Sequence, residues 1–166
     1  MSNRNMTTAP LILLVISLSA CLEEASTENG AQAAEVTPQA TNTTALKDVS
    51  TLRCLDSNTS GNAYTLGCNG GNFQYWITQS LDFGTELRDR ATSRCLDSDT
   101  SGKLYTMPCN GGSFQQWILT SHTISGGGTA WELKNAATRR CLDSDTAGHA
   151  YTSGCNGGNF QHWIFQ

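Results

Sequence analysis

Residues 53–77 read RCLDSNTSGNAYTLGCNGGNFQYWI, and nearly the same stretch returns at residues 94–118 and 140–164. The offset is 41 residues from Cys54 to Cys95 and 46 from Cys95 to Cys141. The longer offset is explained by a glycine-rich insertion at residues 125–129. A period of about 40 residues indicates a fold built from one supersecondary unit used three times.

Length and charge narrow the class of protein. The chain has 166 residues, and the repeats fill most of residues 43–166. That length suits one domain with a modest core. The formal net charge of −4 gives no reason to expect a nucleic-acid partner or binding to an anionic membrane surface.

Seven cysteines in so short a chain indicate an oxidising compartment, where disulfides stabilise small domains. Six of them lie in the repeats and allow many pairings. The threefold repetition favours the pairing in which each copy closes on itself: Cys54 with Cys68, Cys95 with Cys109, and Cys141 with Cys155. Free thiols or a metal cluster have little support, because no Cys-x-x-Cys or matching histidine spacing occurs. No metal or cofactor is predicted.

The first 20 residues have the layout of a secretory signal peptide, with a positive charge at Arg4 and an apolar run over residues 11–18. The run is too short to span a bilayer. The sequence LSAC at residues 18–21 resembles the lipobox of bacterial lipoproteins, in which the cysteine is lipidated. Cys21 is also the cysteine left over after three internal pairs. We predict an exported protein that is lipid-anchored to the bacterial envelope through Cys21. The alternative is secretion after cleavage behind Ala20.

Residues 21–44 contain four glutamates, no lysine or arginine, and no aromatic residue. Such a segment buries too little apolar surface to offset the entropy lost on ordering. It is predicted to be a disordered acidic tether, so membrane contact is expected only through the N-terminal lipid.

From residue 45 onward the sequence shows short strand patterns and turns without a helical period. Each copy offers four strands, which in the first copy lie around Leu46 and at residues 53–56, 63–68 and 73–78. In the last strand, alternation places the glutamine and tryptophan of the Gln-x-Trp triplet on one face. These pairs are Gln74 with Trp76, Gln115 with Trp117, and Gln161 with Trp163. Three buried tryptophans are enough to fill the centre of a small barrel.

The Gln-x-Trp triplets, the Cys-Leu-Asp openings and the Cys-Asn-Gly turns together resemble the ricin B-type lectin family, also known for its QxW repeat. The resemblance covers essentially all of residues 43–166, and the domain is predicted to span residues 45–166. It implies an all-β fold, a β-trefoil of three repeats and twelve strands, with one disulfide within each repeat. It also implies that each repeat can bind a sugar in a shallow pocket on the flank of the trefoil. A monomer is expected.

The resemblance also implies roles for particular residues. In the family, the aspartate of Cys-Leu-Asp accepts hydrogen bonds from two adjacent sugar hydroxyls, and a polar residue near the second cysteine completes the site. A carboxylate is a strong acceptor for such hydroxyls, and an aromatic face matches the C–H groups of a pyranose. The matching aspartates are Asp56, Asp97 and Asp143, and the matching asparagines are Asn69, Asn110 and Asn156.

The aromatic position departs from the family pattern. The family's ring lies two residues before the second cysteine, where this chain has Leu66, Met107 and Ser153. Its own rings lie four residues before that cysteine, at Tyr64, Tyr105 and Tyr151. Alternation puts both positions on one face of a strand, so these tyrosines are predicted to be stacking platforms, and the alternative is that they belong to the core. The glutamines of the triplets are predicted to be structural and to hydrogen-bond turn backbone.

Other interpretations of the same motifs stay open. The Asp-Ser-x-Thr-x-Gly stretches suit plain turns, in which the aspartate caps backbone N–H groups. They also mimic the front half of an EF-hand loop. Calcium binding is nevertheless not predicted, because the twelfth position holds Gly67, Pro108 or Gly154 instead of a bidentate glutamate.

Catalysis has little support in the sequence. The histidines do not recur at one repeat position, and no hydrolase, zinc-protease or phosphate-loop motif occurs. The three histidines are His122, His149 and His162.

The sequence thus predicts a non-catalytic carbohydrate-binding lectin module, tethered to the cell surface or secreted, whose partner is a glycan or polysaccharide. One alternative is a protein-binding or inhibitory trefoil that has lost sugar binding, which the missing family aromatics favour. Another is a structural envelope lipoprotein without a soluble ligand, in which the aspartates are buried or satisfied by their own turns.

Overall fold

The structure, a computed structural model, describes residues 42–166. The predicted signal peptide, the predicted lipidation site at Cys21 and most of the predicted tether lie outside the described residues. The strands in chain order are β1 (Asn42–Asp48), β2 (Arg53–Ser57), β3 (Ala63–Gly67), β4 (Tyr75–Leu81), β5 (Gly84–Asp89), β6 (Cys95–Ser98), β7 (Leu104–Met107), β8 (Gln116–Thr123), β9 (Thr129–Asn135), β10 (Cys141–Ser144), β11 (Ala150–Ser153) and β12 (His162–Phe165). Single 3-10 turns precede β4, β8 and β12, at Asn72–Gln74, Ser113–Gln115 and Asn159–Gln161. Within residues 42–166, no helix is long and apolar enough to cross a membrane.

Six of the strands close into an antiparallel barrel. Strand β1 pairs with β4, β4 with β5, β5 with β8, β8 with β9, β9 with β12, and β12 with β1. The other six form one hairpin per repeat, namely β2–β3, β6–β7 and β10–β11. A six-stranded barrel with three such hairpins is a β-trefoil. The predicted all-β fold of three repeats and twelve strands is confirmed.

One disulfide lies within each repeat. The bonds join Cys54 to Cys68, Cys95 to Cys109, and Cys141 to Cys155. The pairing that the repetition favoured is therefore confirmed. Glu86 and Glu132 lie beside the second and third bridges. Because the sulfurs there are already bonded, these groups do not supply thiolate ligands for a metal.

The three tryptophans of the repeats are fully buried in the core. In the first repeat, the Trp76 indole Nε1 donates to the carbonyl of Leu55 over 3.2 Å. The same bond at 3.2 Å joins Trp117 to Leu96 and Trp163 to Leu142. The polar edge of each indole is thus satisfied inside the core, as a buried tryptophan requires. Each bond also fixes a barrel strand to the hairpin of its own repeat.

Two predicted boundaries are wrong. Residues 73 and 74 do not open the fourth strand, because the Gln74 N–H donates to the Gly71 carbonyl over 2.9 Å and closes a 3-10 turn. A local turn, and not strand alternation, therefore turns Gln74 inward. The trefoil also begins before residue 45, since residues 42–45 of β1 already pair with β4.

The hairpins are joined to one another in a ring through the glycines of the Asp-Ser-x-Thr-x-Gly stretches. The carbonyl of each glycine accepts a backbone hydrogen bond from a threonine of another repeat. These bonds run from Thr106 to Gly61 (2.7 Å), from Thr152 to Gly102 (2.8 Å) and from Thr65 to Gly148 (2.8 Å). The stretches therefore connect repeats as well as forming turns.

Two histidines pack together on the barrel. The rings of His122 and His162 lie with their centroids 4.5 Å apart, and His162 is buried. Burial lowers the pKa of His162, and the neighbouring His122 lowers it further, while Glu132 and Asp48 act in the opposite direction. Within the described part of the chain, both ring nitrogens of His162 lack a hydrogen-bond partner.

Gly102→Ala is expected to lower the free energy of unfolding by at least about 2 kcal/mol. A Cβ at this position would lie 2.5 Å from the Thr152 carbonyl oxygen, on a backbone with φ of +94°. Gly111→Ala is the matched control, because Gly111 also has a positive φ (+67°) but no atom within 4 Å of such a Cβ. The control should lose only about 1 kcal/mol in urea denaturation of the oxidised protein. Equal losses would show that the close approach between hairpins is not a constraint.

His162→Gln is expected to resist acidification better than the wild type. Gln116 occupies the equivalent position of the second repeat. Below the ordinary histidine pKa of about 6.5, the unfolded chain takes up a proton that native His162 does not, so acid favours unfolding. The difference in unfolding free energy should be constant above about pH 7 and shift in favour of the variant as the pH falls toward about 5. A difference that does not change with pH would show that His162 is not responsible.

Candidate functional site

Each hairpin places an aspartate directly opposite a tyrosine. The cross-strand pairs are Asp56 with Tyr64, Asp97 with Tyr105, and Asp143 with Tyr151. Residues opposite each other in an antiparallel pair have their side chains on the same face. The three residues at the family's aromatic position, Leu66, Met107 and Ser153, lie two residues further along the same strands. The structure therefore brings the predicted aspartates and tyrosines together in all three repeats.

The three aspartates are buried, with exposed fractions of 4% for Asp56, 3% for Asp97 and 6% for Asp143. Burial raises the pKa of Asp56, and the hydrogen bond from Gln74 opposes this shift. Burial also raises the pKa of the opposing Tyr64, and the Asp56 charge raises it further. The same two causes raise the pKa of Tyr105 and Tyr151. Each tyrosine thus stays a neutral hydroxyl beside its carboxylate.

The glutamine of each triplet is hydrogen-bonded within its repeat. In the first repeat, Gln74 Oε1 accepts from the Asn69 N–H over 2.8 Å. Its Nε2 donates to the Gly67 carbonyl over 3.1 Å and to Asp56 Oδ2 over 2.8 Å. Gln161 makes the same three kinds of contact, to Asn156, Gly154 and Asp143. The glutamine therefore links the turn after the disulfide to the buried carboxylate.

The asparagine after the second cysteine is exposed and shapes the turn that follows it. The Asn69 side-chain oxygen accepts from the Gly71 N–H over 2.7 Å. Equivalent bonds join Asn110 to Gly112 (2.8 Å) and Asn156 to Gly158 (2.7 Å). This bond uses the amide oxygen, so the Nδ2 group, which can donate two hydrogen bonds, is not consumed by it.

The aspartates of the three repeats differ in their partners. Asp143 accepts from the Ser144 N–H (2.9 Å), Ser153 Oγ (2.6 Å) and Gln161 Nε2 (2.8 Å). In the second repeat, Gln115 Nε2 makes the equivalent bond to the Pro108 carbonyl, over 3.2 Å, but none to Asp97. Asp97 Oδ1 is buried and has no hydrogen-bond partner among residues 42–166. The second repeat therefore holds a carboxylate oxygen with unused acceptor capacity.

That carboxylate lines a pocket of about 370 Å³. Its lining residues are Asp97, Asp99, Thr100, Tyr105, Met107, Asn110, Gly112 and Phe114. One aspartate, one tyrosine and one asparagine named from the sequence meet here, whereas sequence reasoning missed Asp99 and Phe114. The recurrence of a phenylalanine before each glutamine was the available signal for Phe114.

Turn capping is carried by the residue two positions after each aspartate. Asp99 Oδ1 accepts from the N–H groups of Ser101 (2.9 Å) and Lys103 (3.0 Å). Asn58 and Asp145 accept equivalent bonds in the first and third hairpins. Most of the turn capping in the hairpins therefore comes from these residues, while Asp143 accepts one further backbone bond, from the Ser144 N–H. The hydrogen bond from Ser101 lowers the pKa of Asp99 below its ordinary value.

These features define a class of protein, a three-repeat β-trefoil with a buried aspartate opposite a tyrosine in each hairpin. Residues 42–163 match the family described as the ricin-type beta-trefoil lectin domain. The chain belongs to this family.

Several solved structures share the fold. The designed threefold-symmetric protein ThreeFoil has a TM-score of 0.64 and 24% identity, over 74% of this chain and 96% of that one. SeviL, solved with asialo-GM1 saccharide, has a TM-score of 0.64 and 13% identity, over 76% and 98% of the two chains. An exo-β-1,3-galactanase from Clostridium thermocellum has a TM-score of 0.66 and 21% identity, over 77% of this chain and 30% of that one. Comparison with curated protein sequences finds no match.

Asp143→Asn is expected to destabilise the domain by about 1–3 kcal/mol, whereas Asp97→Asn should cost less than about 1 kcal/mol. Asp143 loses a charge that three donors stabilise, while Asp97 Oδ1 has no donor among the described residues. Urea denaturation of the oxidised proteins measures both changes. A larger loss for Asp97→Asn than for Asp143→Asn would contradict the difference in hydrogen bonding.

Proposed function

We propose that this domain is a non-catalytic carbohydrate-binding module that binds a glycan or polysaccharide through the aspartate faces of its hairpins. The observation that carries the proposal is the pocket of the second repeat. There a buried carboxylate with an unpartnered oxygen lies opposite a tyrosine and lines a cavity of about 370 Å³ together with an asparagine.

The chemistry of this pocket suits a sugar. Adjacent hydroxyls of a pyranose are donors in fixed geometry, and Asp97 offers them a charged acceptor in a poorly hydrated place, where such bonds are stronger. A ligand hydroxyl on Asp97 Oδ1 would also satisfy a buried group that the described residues leave unpaired. The Tyr105 ring gives an apolar face for sugar C–H groups, and Asn110 Nδ2 can donate to a ring substituent.

The three faces are expected to bind unequally. Gln74 and Gln161 each donate to Oδ2 of their aspartate, and Ser153 adds a further bond in the third repeat. These donors consume acceptor capacity that a sugar would need. We therefore expect the second repeat to bind most strongly, with the first and third adding avidity on a repeating glycan.

The proposed location is the cell envelope. The signal-peptide layout and the lipobox-like stretch at residues 18–21 support export with a lipid on Cys21, and an acidic tether that carries the trefoil. Secretion without the lipid is the alternative. We propose that the domain acts as a monomer.

A second candidate is a trefoil that binds a protein instead of a sugar. Leu66, at the family's aromatic position in the first repeat, is 47% exposed and gives that hairpin an apolar face. This candidate predicts no glycan binding by the well-folded domain and capture of a protein partner that depends on Leu66.

A glycan array probed with the oxidised protein tests the proposed function, with affinities then measured for the glycans bound. Asp97→Asn is expected to weaken binding at least about 10-fold, because a charge-assisted hydrogen bond is lost. Tyr105→Ala should weaken binding similarly through lost stacking. Tyr75→Ala is the matched control, since Tyr75 lies on barrel strand β4 and not opposite an aspartate, and it should bind as the wild type does.

The triple variant Asp56→Asn, Asp97→Asn, Asp143→Asn completes the test and should lose all binding while keeping its disulfides and tryptophan fluorescence. A folded wild type that binds no glycan on the array would overturn the proposal for the glycans displayed.

A further inference from the structure

A second cavity of about 620 Å³ lies beside the second repeat, outside the aspartate face of the hairpin. Its lining residues are Leu81, Asp82, Phe83, Gly111, Ser113 and Gln116. The sequence predicts no equivalent cavity at the β8–β9 hairpin, because the tip of that hairpin is the glycine-rich insertion at residues 125–129.

The wall that carries Phe83 is the tip of the β4–β5 hairpin. Leu81 pairs with Gly84 across this tip, and Thr85 pairs with Trp117 at its base. A Cβ on Gly84 would lie 3.0 Å from the Trp117 carbonyl oxygen, so the glycine lets the tip lie directly on the backbone of β8. Phe83 is 77% exposed at the end of this anchored tip. An exposed aromatic ring held at a cavity is a ready stacking surface for a sugar.

The lining of the cavity also contains a buried amide. Gln116 is only 6% exposed, and its Nε2 donates to the Gly111 carbonyl over 2.8 Å. Its Oε1 is buried and has no hydrogen-bond partner within residues 42–166. Such an acceptor is costly unless something donates to it. With the Asp82 carboxylate and the Ser113 hydroxyl, the cavity combines three polar groups with one aromatic ring, which is the composition of a saccharide site.

The turn over residues 110–116 separates this cavity from the Asp97 pocket. Asn110, Gly112 and Phe114 line the Asp97 pocket. Gly111, Ser113 and Gln116 line the Phe83 cavity. The two concave surfaces are therefore the two sides of one turn.

We propose that the Phe83 cavity is a second saccharide site, which holds further units of the same glycan chain whose first unit occupies the Asp97 pocket. The ligand is then an oligosaccharide or polysaccharide recognised along its length, and not a single terminal sugar. Phe83 stacks on one unit, while Asp82, Ser113 and Gln116 bond its hydroxyl or amide groups. The proposal rests on the proposed carbohydrate-binding function.

Titration calorimetry with β-linked galactose and N-acetylglucosamine oligomers of one to five units tests the proposal. For the series that binds, wild-type affinity is expected to rise at least about 10-fold between the single sugar and the longer oligomers, as a second stacked unit is engaged. Phe83→Ala should remove this rise and leave the affinity for the single sugar unchanged. Asp97→Asn should weaken binding of every length.

Two further variants serve as controls. Phe83→Tyr keeps an aromatic face and should restore most of the gain with length. Leu52→Ser removes another exposed apolar side chain and introduces serine, the residue found at the equivalent position of the second repeat, Ser93. This variant should bind as the wild type does. Phe83→Ala should melt at the wild-type temperature, because the ring is largely exposed.

The outcomes separate this inference from the function on which it rests. Affinity that does not depend on chain length, or a Phe83→Ala variant that retains the full gain, overturns the second site while Asp97-dependent binding still supports the module. No binding of any oligomer by the folded wild type overturns both proposals for β-linked galactose and N-acetylglucosamine chains.

Discussion

The hydrogen bond from each core tryptophan to the leucine carbonyl of its own hairpin is the contact on which the rest of the structure depends. This bond fixes the leucine that immediately precedes the aspartate. How deeply the carboxylate is buried therefore depends on how the indole packs in the core. The glutamine two residues before the tryptophan then reaches the turn after the disulfide and, in two repeats, the carboxylate itself. The Gln-x-Trp triplet thus sets the position of Cys-Leu-Asp, although the two motifs are about 20 residues apart in sequence.

With the backbone fixed in this way, single side chains decide how the repeats differ. Ser153 donates to Asp143 over 2.6 Å and also contacts Gln161, which closes the hydrogen-bond network of the third hairpin on itself. The equivalent Met107 has no hydroxyl to offer, and Asp97 keeps an oxygen without a partner in the described chain. The departure from the family's aromatic position therefore does more than remove a ring. It changes whether the carboxylate is satisfied from within the protein.

The repeat period was sufficient to predict the twelve strands and the three disulfides, because a unit that is used three times must satisfy its cysteines and core positions in the same way each time. The 3-10 turn at Gln74 was missed because one local hydrogen bond to Gly71 overrides the alternating pattern. The glycine ring between hairpins was missed because its partners come from different repeats, and spacing within one repeat carries no sign of them. Phe114 and Phe83 were missed for opposite reasons. Phe114 recurs in every repeat, but it lies in a turn and not on a strand whose alternation could assign it to a face. Phe83 occurs in one repeat only, so the repeat pattern gives no signal for it.

The ring of hairpin contacts has a consequence for the order in which the chain acquires structure. Thr65 of the first repeat donates to Gly148 of the third, and β1 pairs with β12, so the first repeat obtains two of its neighbours only from the last part of the chain. Contacts between residues so distant in sequence form slowly, because the entropy of closing the intervening loop is lost before the contacts contribute any stability. A nascent chain that has yet to extend past residue 148 therefore has neither contact to hold its first repeat in place. We therefore expect the first repeat to reach its final position only after the last part of the chain is available.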